Sequence, residues 1–443
     1  MKKYIIILFF AIILSSCSFD NKSGIWKGNQ EEVKKKSQKK NLKSITTSKF
    51  ENIDQITKSN KNFFKLSKII KTVSWEDPQL NPKNFYSNLY FNGNFNFSNT
   101  KKLSSKKIEK EILYKNDKII FRDVKGTIYV YTLSDSSLKK FNFYKKKYKS
   151  FKLKTFITLS DNSIYIADNM GYAYCLELES VSLKWAKFYK IPFMSNIKII
   201  DKKIFLTNEN NDIFVLNKAN GEKQWNFTTD NSIFKSDYLN NLSIFDTNLL
   251  LLNTNGSAYS INYVNRQLNW ILNFKDFLST KTSNIFKGKH LIIQKKNVLI
   301  SSNRLVALHN INTGMKYWEL KIDNYLNPVF SEDLIFLVDK KLNLISIDTS
   351  SGHLVWKKSF SQIINDQVLS ELKKNKVGKI SDLKLINNKL FLFTSKAKLI
   401  QIDPMNGTVL NYINLPSEIN SNVILVGGKM IYIDKKNRLV KTG

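Results

Sequence analysis

Five tryptophans, Trp185, Trp225, Trp270, Trp318 and Trp356, follow one another at gaps of 40, 45, 48 and 38 residues. The sequence around them repeats as well. NKANGEKQW ends at Trp225, NINTGMKYW at Trp318 and DTSSGHLVW at Trp356, while DPMNGTVLN ends at Asn411. A polar turn-former stands eight residues before each end position, at Asn217, Asn310, Asp348 and Asp403. Glycine stands four before it, at Gly221, Gly314, Gly352 and Gly407. Two weaker copies place Asn262 before Trp270 and Glu177 before Trp185, with Arg266 and Val181 in the glycine position. A degenerate first copy runs from Thr132 to Phe141. The polar-x-x-x-Gly step reads as a turn, because Asx side chains bond nearby backbone and glycine supplies positive φ. A period of roughly 20 to 50 residues marks a unit that cannot bury its hydrophobic face alone and must stack on copies of itself.

Each copy is tied to a pair of short apolar runs broken by Asn, Asp, Gly or Lys. These pairs lie at 118–131, 163–176, 203–216, 249–261, 298–308, 334–347, 390–402 and 430–441. Such runs are strand–turn–strand signals, so one unit is three or four antiparallel strands. Eight units set radially cover each other's sheet faces and leave only short edges. The expected fold is therefore all-β: an eight-bladed β-propeller, closed by an N-terminal strand. The tryptophans are expected as wedges between blades rather than as a cofactor box. Seven pairs are followed by an outgoing motif, but the eighth runs to Gly443 with none. Its missing strand is expected from LSKIIKTVSWE, residues 66–76.

The first residues follow a different logic. MKKYIIILFFAIILSSC has a charged start, an apolar stretch from Tyr4 to Leu14 and small residues before Cys17. The stretch is too short for a bilayer-spanning helix, which takes about 20 residues. It reads as a signal peptide. Leu14-Ser15-Ser16-Cys17 resembles the bacterial lipobox, which implies cleavage before Cys17 and lipidation of its sulfur. Ser18 after it resembles the outer-membrane sorting class. Residues 18–65 carry no hydrophobic period and are rich in lysine, as expected of a flexible tether. The domain plan is thus 1–17 signal peptide, 18–65 tether and 66–443 propeller.

Net charge is +34, nearly all of it lysine, since only Arg122, Arg266, Arg304 and Arg438 are arginines. Site-built phosphate-binding surfaces favour the bidentate fork of arginine, so this surplus reads as compositional background and no nucleic-acid partner is expected. With two cysteines, Cys17 and Cys175, and three histidines, His290, His309 and His353, a disulfide framework or a cysteine-rich zinc site is excluded.

The polar-x-x-x-Gly-x-x-x-Trp unit resembles the repeat of quinoprotein-type propellers. Two secreted bacterial families share it: quinone-dependent dehydrogenases, and the BamB lipoproteins of the outer-membrane β-barrel assembly machinery. The lipobox, the degenerate last motif at Asn411 and the segment SWEDPQLNPKNFYSNLYFNG (74–93) are similar to BamB. The dehydrogenases typically carry a vicinal cysteine pair and a carboxylate-liganded calcium. With Cys17 lipidated only Cys175 remains, and no acidic cluster has calcium-loop spacing. The resemblance to BamB implies a non-enzymatic, cofactor-free scaffold at the periplasmic face of the outer membrane. It would bind the periplasmic domains of BamA and aid insertion of β-barrel proteins. Alternatives are an envelope propeller for another ligand, such as polysaccharide, or a quinone-dependent dehydrogenase. The family's first partner loop, apolar-x-apolar-Arg, falls on Phe234 and Lys235, with lysine replacing arginine. Its second, Asp-x-Asp, falls on Leu278, Thr280 and Thr282, where both acids are missing.

Overall fold

The computed structural model describes residues 45–46, 57–61, 63–86, 88–144, 152–230, 238–274, 287–365 and 377–443. The expected signal peptide and most of the expected tether lie outside these residues. All eight apolar pairs are β-hairpins, and each forms the two middle strands of four antiparallel strands; six of the sheets have just these four, and two are extended at one edge by short parallel strands from the N-terminal side. The inner strands precede the hairpins: Ile108–Lys115, Thr155–Ser160, Lys198–Ile200, Asn241–Phe245, Gly288–Gln294, Val329–Ser331, Ile380–Ile386 and Ile424–Val426. Outer strands follow seven of them: Leu138–Asn142, Leu183–Phe188, Lys223–Phe227, Gln267–Asn273, Lys316–Leu320, Leu354–Ser359 and Val409–Asn414. The sheets are the eight blades of an all-β propeller. Buried side chains form clusters that bridge successive blades. One of them spans the last two blades and the first two, so the core runs around the ring without a gap.

The repeated motif locks neighbouring blades. Four of the five tryptophans are at most 9% exposed, and Trp185 is half-buried. The indole N–H donates to the backbone carbonyl just after the next blade's turn-former: Trp270 to Ile311, Trp318 to Thr349 and Trp356 to Pro404, at 2.8, 2.8 and 2.9 Å. Against the same ring lies the turn glycine of that next blade. A Cβ built on Gly352 would stand 2.7 Å from Trp318 Cγ. The turn keeps its shape where glycine is absent, with φ of +58° at Ser136, +57° at Val181 and +62° at Arg266. Arg266 instead lays its guanidinium over the Trp225 ring at 5.8 Å.

The ring is closed by an N-terminal strand, but not by residues 66–76. Phe97–Lys102 pairs antiparallel with Arg438–Thr442, Thr442 opposite Phe97 and Arg438 opposite Lys102. An outer strand faces solvent, and Phe97–Lys102 is half-buried to exposed along its length. Trp75, by contrast, is fully buried and belongs to the interior. The last residues of the expected tether are also bonded to the propeller. The Leu354 N–H donates to the Thr57 carbonyl, and the Ser59 N–H to the Leu354 carbonyl, both at 2.9 Å.

Candidate functional site

Between residues 67 and 89 one segment bonds the inner strand of every blade. Trp75 exchanges two backbone bonds with Tyr114 in the first, and the Glu76 carbonyl accepts from Leu159 N–H at 2.7 Å in the second. Asp77 meets Lys198 in the third. The Pro82 and Lys83 carbonyls accept from Ile244 and Ile293 in the fourth and fifth, both at 2.9 Å. Ser67 N–H donates to Ser331 Oγ at 2.8 Å in the sixth. Leu89 bridges Ile386 in the seventh, and the Thr72 hydroxyl donates to the Leu425 carbonyl in the eighth. Inner strands line the propeller axis, so this segment fills it.

The centre of the filling is ionic. Lys198 Nζ is 2.9 and 2.8 Å from the two Asp77 carboxylate oxygens and 2.5 Å from Asn84 Oδ1, with side-chain exposures of 1% for Lys198 and 7% for Asp77. Asn84 in turn donates to the Leu242 and Leu291 carbonyls, both at 2.8 Å. Burial raises the Asp77 pKa, and the adjacent ammonium opposes that shift. Burial likewise lowers the Lys198 pKa, opposed by the Asp77 charge, and the Lys198 amine meets three acceptor oxygens from two residues, Asp77 and Asn84. Beside it lies a polar cavity of about 20 Å³ lined by Gln79, Asn84, Asn196, Asn240, His290 and Asn327. The Asn196 and Asn327 side-chain oxygens are buried there without a protein partner. That volume admits one water molecule. Among the described residues no group of three or more His, Cys, Asp or Glu could hold a metal ion. Cys175 is 1% exposed and burial raises its thiol pKa, as for a small core side chain.

Cys17, Phe234, Lys235, Leu278, Thr280 and Thr282 all lie outside the described residues. The roots of the two expected partner loops are described, and the structure brings them together. The first loop leaves from Asp230, whose backbone and side chain are held by Tyr259, Asn253, Ser257 and Asn255 of the fourth blade. It returns at Tyr238 and Leu239, which are 42% and 37% exposed. The second leaves after Phe274, which is buried edge-on to His309, and returns at Lys287. Lys287 Nζ sits 4.7 Å over the Tyr238 ring, and Asn241 donates to the Gly288 carbonyl at 3.4 Å. The two loops thus spring from one patch of the rim between the third, fourth and fifth blades. Tyr238, Leu239 and Lys287 were not legible in the repeat because they belong to inter-blade connections that carry no motif.

A family model described as outer membrane protein assembly factor BamB matches residues 109–358. The crystal structure of BamB from Moraxella catarrhalis superposes with a TM-score of 0.60 at 10% identity, covering 79% of this chain and 99% of that one. A quinohemoprotein alcohol dehydrogenase from Pseudomonas putida superposes with a TM-score of 0.62 at 9% identity, over 83% of this chain and 80% of that one. Another, from Comamonas testosteroni, gives 0.58 at 9% identity, over 82% and 76%. At these identities the structural likenesses show the propeller alone. No curated protein matches the sequence.

Proposed function

This chain belongs to the family of the outer membrane protein assembly factor BamB, and from that premise we propose that it is a non-enzymatic scaffold that aids insertion of outer-membrane β-barrel proteins by binding BamA. In this reading it is anchored by acyl chains on Cys17 at the periplasmic face of the outer membrane, more than one chain giving a stable hold. The observation that carries the reading is the common origin of the two partner loops around Tyr238, Leu239 and Lys287. An exposed tyrosine beside an exposed leucine and a lysine has the composition of an interface anchor, where aromatic residues dominate the energy. The second reading, a quinone-dependent dehydrogenase, needs a pocket of about 300 Å³ or more for a cofactor of that size. The described cavity on the axis is about 20 Å³, because residues 67–89 occupy the rest.

The test is recovery of the purified periplasmic domains of BamA on the immobilised full chain. Tyr238→Ala with Leu239→Ser is expected to weaken capture by about tenfold or more, the scale of a lost hot spot. Phe234→Ala with Lys235→Glu should weaken it too. Tyr238 and Leu239 are exposed, so melting of the first variant should not change. Undiminished recovery by both double variants would rule out this rim as the BamA-binding surface.

A further inference from the structure

An edge strand presents a row of unpaired N–H and C=O groups, and natural sheets guard such edges with lysine. Six of the eight outer strands here do so, for example with Lys102, Lys139, Lys187, Lys223, Lys316 and Lys357. Two carry no charge at all: Gln267–Asn273 and Val409–Asn414. The first of these is covered by the chain itself. Ile45–Thr46 runs parallel to it, Ile45 opposite Leu272 and Thr46 opposite Asn273. In the sequence Ile45 and Thr46 fall in the lysine-free piece between Lys43 and Lys49. Residues 57–59 repeat the arrangement on the sixth blade, where they bond Leu354, at the end of Leu354–Ser359 away from Lys357 and Lys358. Among the described residues, the two contacts of this kind therefore join an extended segment to a part of an outer edge that lacks lysine.

Val409–Asn414 meets the same condition, and among the described residues no strand lies beyond it. Leu410 is 43% exposed, while Tyr412 and Ile413 are half-buried against the two flanking core clusters. We propose that Val409–Asn414 is a strand-accepting edge, which binds an extended, β-prone segment of a partner polypeptide through main-chain hydrogen bonds. Strand addition takes its affinity from the main chain and its selectivity from alternate side chains. A second copy of this chain is the poorer occupant, because it brings another +34 of like charge. The proposal stands apart from the BamA surface, which uses connections of the fourth and fifth blades, so either can fail without the other.

The probe is a fluorescein-labelled peptide of alternating threonine and valine, titrated with the full chain and followed by anisotropy. The wild-type chain is expected to bind. Leu410→Lys should weaken binding by about tenfold or more, since it removes apolar contact and restores edge protection. Tyr317→Lys, on an edge already guarded by Lys316, should leave binding unchanged. Should Leu410→Lys fail to fold, Asn414→Lys at the strand end makes the same test. Absence of peptide binding by the wild type, or equal binding by a folded edge variant, overturns the proposal. So does a wild-type dimer in sedimentation that Leu410→Lys dissociates, which would assign the edge to a second copy.

Discussion

Gly352→Ala should destabilise the propeller through one defined clash. The residue has φ of +75°, and a Cβ there would stand 2.7, 2.8 and 3.0 Å from Trp318 Cγ, Cδ2 and Cβ. The left-handed backbone costs an alanine about 1–2 kcal/mol. Overpacking a close-packed contact costs about 1–3 kcal/mol more. The Trp318 ring cannot step aside without losing its 2.8 Å bond to the Thr349 carbonyl. The sum is about 2–5 kcal/mol, or a fall of roughly 4–10 °C at about 2 °C per kcal/mol for a large domain. Gly427→Ala isolates the backbone part, because Gly427 has φ of +61° and nothing within 4 Å of the added Cβ. It should lower Tm by only about 2–4 °C on the same scale. Thermal melts followed by circular dichroism compare the two, and Trp318→Leu with Gly352→Ala completes a double-mutant cycle. The clash predicts less-than-additive losses in that cycle. Equal shifts for the two glycine variants, or strict additivity with Trp318→Leu, would refute the blade lock as argued.

Two further outcomes follow from buried charge. Lys198→Met leaves the Asp77 carboxylate without the ammonium that bonds both its oxygens, and should cost about 3–5 kcal/mol in denaturant unfolding; adding Asp77→Leu should recover much of that, and a double variant as unstable as the sum of the singles would contradict it. His309 is fully buried, donates from Nδ1 to the Gly314 carbonyl at 3.0 Å, and leaves Nε2 without a partner. Burial pushes its pKa down to about 4. The unfolded chain, with an ordinary histidine pKa of about 6.5, therefore holds the extra proton between the two values, so this stability is complete above about 6.5 and is lost as pH falls toward 4. The contribution is about 2 kcal/mol between pH 7 and pH 5. His309→Gln should flatten the slope of stability against pH in that window, and an unchanged slope would count against a neutral His309.

Much of the architecture was legible because it is local. A polar residue, a positive-φ position four later and a large ring eight later specify a turn and the strand after it. That is why even Val181, Arg266 and Ser136 hold the turn at positive φ. The eight hairpins could be read for the same reason, their strands and turns lying within 15 residues of one another. The inner strands were less legible. Lys198–Ile200, Val329–Ser331 and Ile424–Val426 are three residues long and carry no period. The partner rim was legible only as two stretches in sequence, 230–235 and 278–282, with nothing to show that the connections around them meet at Tyr238 and Lys287.

The sequence by itself determined the number of blades, their hairpins, the wedging tryptophans and the need for a strand from the N-terminal side. Only the tertiary structure decided which strand that is and what fills the axis. Phe97–Lys102 pairs with Arg438–Thr442 across more than 300 residues, and Asp77 meets Lys198 across 121. Such contacts leave no periodic trace, because each is made once. Their partners are selected by exposure and charge in the assembled ring: an exposed, lysine-bearing strand for the outer edge, and a fully buried tryptophan with a paired aspartate for the axis.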